Sequence, residues 1–182
     1  MNQKHFLKFL IIFLIVSMSC GRKPKPMGSL FPETLPHLHL MKIIKGEKAK
    51  REVNKLHGTE IHLKNAWIAH YRGSFSQGNW HDATIWVSEA YTQKEAESQT
   101  KNMMEKIMQN PKSPFHHFKI KNTNETELYV FSGMGQKHAV FQKNLLVFWI
   151  STTPEIFDRV LNYYLSHSFP NCLLYTSPSP RD

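Results

Sequence analysis

Leu145–Ile150 reads LLVFWI, an unbroken apolar run directly after Lys143 and Asn144. In an extended chain alternate side chains point to opposite faces. Leu145, Val147 and Trp149 therefore share one side, and Leu146, Phe148 and Ile150 the other. A strand with one solvated face would show polar residues on that face, and this one has none. It is expected near the centre of a sheet covered on both sides, by helices or by a partner.

The neighbouring segments fit that centre. Upstream, Phe115–Lys121, Glu127–Ser132 and Lys137–Gln142 alternate polar with β-branched or aromatic residues and read as strands, the last running on through Lys143 and Asn144. Downstream, Thr153, Pro154 and Glu155 open a helix to about His167, with Ile156, Val160, Leu161 and Tyr164 as its inner stripe. Before Phe115, Thr92-Gln-Lys-Glu95 is a capping box at the start of a helix over Gln93–Gln109, with a stripe of Ala96, Met103 and Ile107 widened by Thr100, Met104 and Met108. Three methionines at helical spacing read first as core filler and second as a soft metal site or a pliable binding surface.

Further back, Thr59–Tyr71 and Ala83–Tyr91 read as a hairpin joined by a long, turn-rich loop, GSFSQGNWHD. Glu47–His57 reads as a short helix with Ala49, Val53 and Leu56 on one face and Gly58 placed to end it. The order is helix, two strands, helix, three or four strands, helix. It predicts an α+β fold, with a small antiparallel sheet or sheets packed with three helices and a loosely duplicated helix-plus-hairpin unit. The globular domain is expected over residues 38–171, within the range of one domain for a chain of 182 residues.

The two ends have a different character. Met1–Ser19 carries Lys4, His5 and Lys8, then the apolar run Phe9–Val16, then the small residues Ser17 and Ser19. This is the layout of an export signal, and the apolar run is shorter than the roughly 20 residues of a membrane-spanning helix. Ser17-Met18-Ser19-Cys20 resembles the lipobox of bacterial lipoproteins. The resemblance implies cleavage before Cys20, acylation of its thiol and amine, and a chain held in the cell envelope facing the periplasm. Gly21 after the cysteine, by the sorting rule of enterobacterial lipoproteins, implies the outer membrane. The same Ser-x-Ser pattern also suits an ordinary signal peptidase, which would leave a soluble exported protein.

Residues 20–37, with four prolines after Cys20 and no apolar period, are expected to be a tether of on the order of 50 Å reach. Arg22, Lys23 and Lys25 within it suit anionic headgroups at roughly 1 kcal/mol each. Cys172–Asp182, CLLYTSPSPRD, resembles the in-frame translation of a sequencing adapter, with the natural chain interrupted near Asn171. The formal charge of +9 is spread along the chain among acidic residues. It forms no basic stripe, so nucleic acid is not an expected partner.

Chemistry is sparse. No Gly-x-Ser-x-Gly elbow occurs, and Glu89, Glu95 and Glu127 stand singly, so a catalytic role has no motif behind it. Of the histidines, His70, His81 and His138 have aromatic neighbours on strands or loops and are the candidate ligands if a metal or haem is bound. No motif demands a cofactor. Gly133-x-Gly135 before Gln136 and Lys137 has the look of a phosphate cradle, but strand leads to strand there, so a turn is expected, with a ligand-facing loop as the alternative. Trp67, Tyr71, Trp80, Trp86 and Tyr91 gather in the first hairpin, a composition used by contact surfaces and equally by a second core layer. The function expected is therefore an envelope binding module, anchored to membrane lipid through Cys20 and meeting another envelope protein. A metal or haem accessory protein and an envelope enzyme are the alternatives.

Overall fold

The computed structural model describes residues 28–58, 60–76, 78–122 and 127–169; the leader, Cys20 and the Cys172–Asp182 run lie outside the described residues. Its elements are β1 (Thr34–Leu35), β2 (Leu38–Lys45), α1 (Glu47–His57), β3 (Asn65–Ser76), β4 (Asn79–Glu89), α2 (Gln93–Gln109), β5 (Phe115–Asn122), β6 (Glu127–Gly133), β7 (Gln136–Lys143), β8 (Leu146–Thr152), a 3₁₀ turn at Pro154–Ile156, and α3 (Phe157–Ser166). The fold is α+β. One eight-stranded antiparallel sheet, ordered β1-β2-β3-β4-β8-β7-β6-β5, carries three helices.

The apolar run sits where its pattern requires. β8 lies between β4 and β7, and every one of its residues is buried. Because β4 pairs with β8 from Ala83 opposite Thr152 to Glu89 opposite Leu146, the two halves of the chain share one sheet instead of forming two. Each half carries a helix on the same sheet face, α1 between β2 and the β3 and β4 hairpin, and α2 before the meander β5 to β8.

The opposite face holds the larger core. Phe148 stacks on Phe141 with ring centroids 5.0 Å apart and meets Tyr164 at 5.7 Å and Phe169 at 5.5 Å. Ile85, Val87, Ile150, Ile156 and Val160 complete this layer beneath α3. Lys143 holds α3 in place, its ammonium donating to the carbonyls of Tyr164 (2.8 Å), Leu165 (3.0 Å) and His167 (2.6 Å), which a helix C-terminus leaves without intrahelical donors.

Several boundaries move from their expected places. The packed body begins before Leu38: Leu30 and Leu35 are buried in the α3-side core. Tyr163, Tyr164 and Tyr71 donate their hydroxyls to the carbonyls of Ser29, Leu30 and Pro32. Prolines suit an extended strap laid against a surface as well as a free tether, so composition does not separate the two. The eight steps from Cys20 to Gly28 span at most ~28 Å, about half the reach expected of the whole proline-rich segment.

The long loop of the first hairpin is instead strand. β3 and β4 stay paired out to Ser76 opposite Asn79. Gly73 is required within it, since a Cβ there would lie 1.9 Å from the His37 carbonyl oxygen. Conversely, the strand expected from Thr59 begins only at Asn65. β7 and β8 are likewise separate strands, turned at Asn144, whose φ is +53°. The capping box is formed: the Glu95 amide donates to Thr92 Oγ1 and the Thr92 amide to Glu95 Oε2, both at 3.1 Å.

Candidate functional site

On the α1 and α2 face, cross-strand pairing lines residues up in rungs. One rung runs Ile68, Trp86, Trp149, Val140, Tyr129 and is roofed by the two helices. The next runs Lys42, His70, Thr84, Ser151, His138, Phe131 and is polar from Lys42 to His138. Beyond it Arg72 and Asp82 pair through Nε and Oδ1 at 2.7 Å. By strand alternation Trp80 stands on this face too, 65% exposed.

The result is a shelf at one end of the sheet on which Lys42, Arg72 and Trp80 are open and His70, Thr84, Asp82 and Gln136 half-buried, while Ser151 and His138 form its buried floor. His70 Nδ1 lies 3.2 Å from Thr84 Oγ1. Burial, and then the charge of Lys42, hold the His70 imidazole below its ordinary pKa. Ser151 donates its hydroxyl to Gln136 Oε1. Apart from Lys42 at its edge and the Arg72 and Asp82 pair, the shelf offers neutral donors and acceptors and suits a polar surface.

His138 closes the shelf's inner edge. It is 2% exposed, its Nε2 donates to the Gly133 carbonyl at 3.1 Å, and its Nδ1 accepts from Trp149 Nε1 at 3.2 Å. Both ring nitrogens are occupied and the tautomer is fixed. Burial depresses its pKa, an effect partly opposed by the Gly133 carbonyl.

The singled-out residues divide between the faces. His70, Trp80, Trp86, Gln136 and His138 share the shelf face, whereas Trp67 and Tyr71 lie in the α3-side core. His81 is buried on that side as well, with Nδ1 3.2 Å from Thr153 Oγ1 and 3.7 Å from Glu155 Oε2. His70 and His138 are three strand spacings apart, roughly 14 Å. The three histidines therefore do not converge. Among the described residues no cluster of three or more His, Cys, Asp or Glu is placed to hold a metal ion.

Met134 and Gly135 have φ of +53° and +75° and form the tight turn of the β6 and β7 hairpin, with Gly133 opposite Gln136. Gly133 is glycine because Phe115 and the Pro114 carbonyl crowd it: a Cβ would meet Phe115 Cδ1 at 2.5 Å. The carboxylates are also accounted for. Glu95 caps α2, and Glu89, 2% exposed, accepts from Lys64 Nζ at 2.9 Å and Asn65 Nδ2 at 2.7 Å. Glu127 accepts from the Tyr129 hydroxyl.

Arg72, Asp82, Thr84 and Ser151 were not distinguishable in the sequence. Their alternation with apolar neighbours gives each a face, but only the pairing of β4 with β8 brings them together. Comparison with family models, with curated proteins and with solved structures finds no match.

Proposed function

We propose that this protein is a lipid-anchored component of the bacterial cell envelope, facing the periplasm, which binds another envelope protein through the polar shelf and Trp80. The observation that carries the proposal is the position of the strap. The Gly28 amide donates to the Ser168 carbonyl at 2.9 Å, beside the C-terminus of α3 that Lys143 holds. That is the end of the sheet where β7 runs out and β8 begins, and the β3 and β4 hairpin tip, with Trp80, is at the other end. A chain acylated at Cys20 would thus hang from one end and present the shelf at the far end. A link of at most ~28 Å keeps the Gly28 end within that distance of the bilayer. Among the described residues no helix is long and apolar enough to cross a membrane, so attachment in this reading falls to the acyl chains.

A photo-reactive amino acid placed at position 80 in living cells tests the shelf. A discrete adduct with one envelope protein is expected there and not from position 101 on the outer side of α2, where Lys101 is exposed. Equal labelling from both positions, or none from position 80, would remove the shelf from the proposal.

A further inference from the structure

β5 is the outermost strand on its side of the sheet, and β6 pairs with it along one edge only. In an antiparallel ladder alternate residues turn their N–H and C=O to opposite edges, so half of these groups in β5 point outward. Among the described residues no strand meets them. The strand is nevertheless fixed in place. Phe115 and Phe118 pack on Phe131 with ring centroids 5.1 and 5.3 Å away, on the sheet face that α2 covers. A bulge at His117, whose φ is +56°, shifts the register between His116 and Lys119 and confines the regular open edge to Lys119–Asn122.

The side chains along that edge sort by face. Lys119 and Lys121, both exposed, lie opposite Val130 and Leu128 on the α3 side of the sheet, and neither is in an ion pair among the described residues. Ile120 lies opposite Tyr129 on the other side and is 52% exposed. Lysines alone would blunt the edge against any strand; an open aliphatic side chain between two unpaired ammonium groups instead gives it a pattern that one kind of strand matches.

We infer that the Lys119–Asn122 edge takes an extended acidic segment of a partner protein as an added strand, with acidic, apolar and acidic residues in succession opposite Lys121, Ile120 and Lys119. Main-chain hydrogen bonds to the outward groups supply affinity, and the cross-strand pairs supply the choice of segment. A carboxylate opposite each lysine gains charge pairing, and the apolar residue between them covers Ile120. A second copy of the chain does not fit, because antiparallel pairing of β5 with itself about Ile120 sets Lys119 against Lys121. Because Phe115 and Phe118 already hold the strand, binding orders little on this side. This edge is separate from the shelf and from Cys20, and either proposal can fail without the other.

The test uses the full chain and two end-capped peptides, one alternating glutamate with valine and one alternating lysine with valine. Affinity is read from the anisotropy of a dye on the peptide, and the place of binding from amide hydrogen exchange. The glutamate peptide is expected to bind, less tightly as salt rises, and to slow exchange at alternate residues of Lys119–Asn122, whereas the lysine peptide is expected to do neither. Lys119→Glu combined with Lys121→Glu is expected to weaken the glutamate peptide by roughly tenfold and to admit the lysine peptide, with the far-ultraviolet spectrum unchanged. Lys101→Glu, on the outer side of α2, is the control and is expected to change affinity by less than about twofold. No binding of the glutamate peptide, equal binding of both peptides, slowed exchange away from β5, or protection of the same amides by vesicles of anionic lipid and not by the peptide would overturn the inference.

Discussion

The two faces of the sheet are built for different ends. Beneath α3, aromatic rings and aliphatic side chains close over β4, β7 and β8, with His81 and Thr152 buried toward one end of the layer and Glu89 toward the other, and the N-terminal strap seals the layer through three tyrosine hydroxyls. Beneath α1 and α2, the same strands carry His70, Thr84, Ser151 and His138 in one rung, and the helices leave part of it open. The contrast teaches where tolerance to change resides. A face whose core is mostly carbon gains most of its stability from area and shape, whereas the face that buries His138 depends on that imidazole staying neutral and on Trp149 and Gly133 remaining as partners.

The sharpest way to break this comparison is to attack the closed face first. Phe148→Ala removes a fully buried ring from among Phe141, Tyr164 and Phe169, and is expected to cost about 3–5 kcal/mol in denaturant unfolding. A loss below about 1 kcal/mol would mean that the α3 layer is not the principal core.

The second attack is acid, aimed at the other face. His57 is depressed from its ordinary 6.5 to about 4 by burial and by Lys106, and His138 is depressed by burial. Both are neutral when folded, and the unfolded chain takes up protons first as pH falls. Their contribution is therefore fully present above pH 6.5 and is lost as pH falls from there toward about 4. For His57 this amounts to about 3 kcal/mol. Unfolding midpoints measured between pH 7.5 and 4.5 should fall steeply in the natural chain and less in His57→Leu. An identical pH dependence in the two would place the acid sensitivity elsewhere.

Smaller effects sharpen the contrast. Thr92→Ala removes the hydroxyl that accepts from the Glu95 amide at the start of α2 and is expected to cost about 1 kcal/mol, seen as a lowered thermal midpoint. Trp80→Ala, on the open end, should change the denaturant midpoint by no more than about 0.5 kcal/mol of stability. Were Trp80→Ala as costly as Phe148→Ala, the shelf would be core and not surface.

The parts of both faces that follow from local pattern alone were legible in the sequence. The run at Leu145–Ile150 specified a central strand, and Thr92 with Glu95 specified the start of α2. Residues whose role depends on a distant neighbour were not legible. Gly73 and the serines and asparagine around it have turn chemistry, yet they extend a hairpin because Arg72 and Asp82 pair across it and the His37 carbonyl needs the space. β2 carries no clear strand pattern, because the histidine, methionine and lysines in LHLMKIIK break the alternation, although Leu38, Leu40 and Ile43 pack into the α3-side core. The shelf needed β4 beside β8, a long-range pairing with no local signal. His57 looked like the last residue of a helix and nothing more.

The proposed role rests on suspension of this domain from its Gly28 end, and the most direct measurement is the intact mass of the mature protein extracted from membranes. A chain beginning at Cys20, with a diacylglyceryl group on sulfur and an acyl group on its amine, is the expected result. A chain with free sulfur at that position, recovered from the soluble fraction, would contradict it.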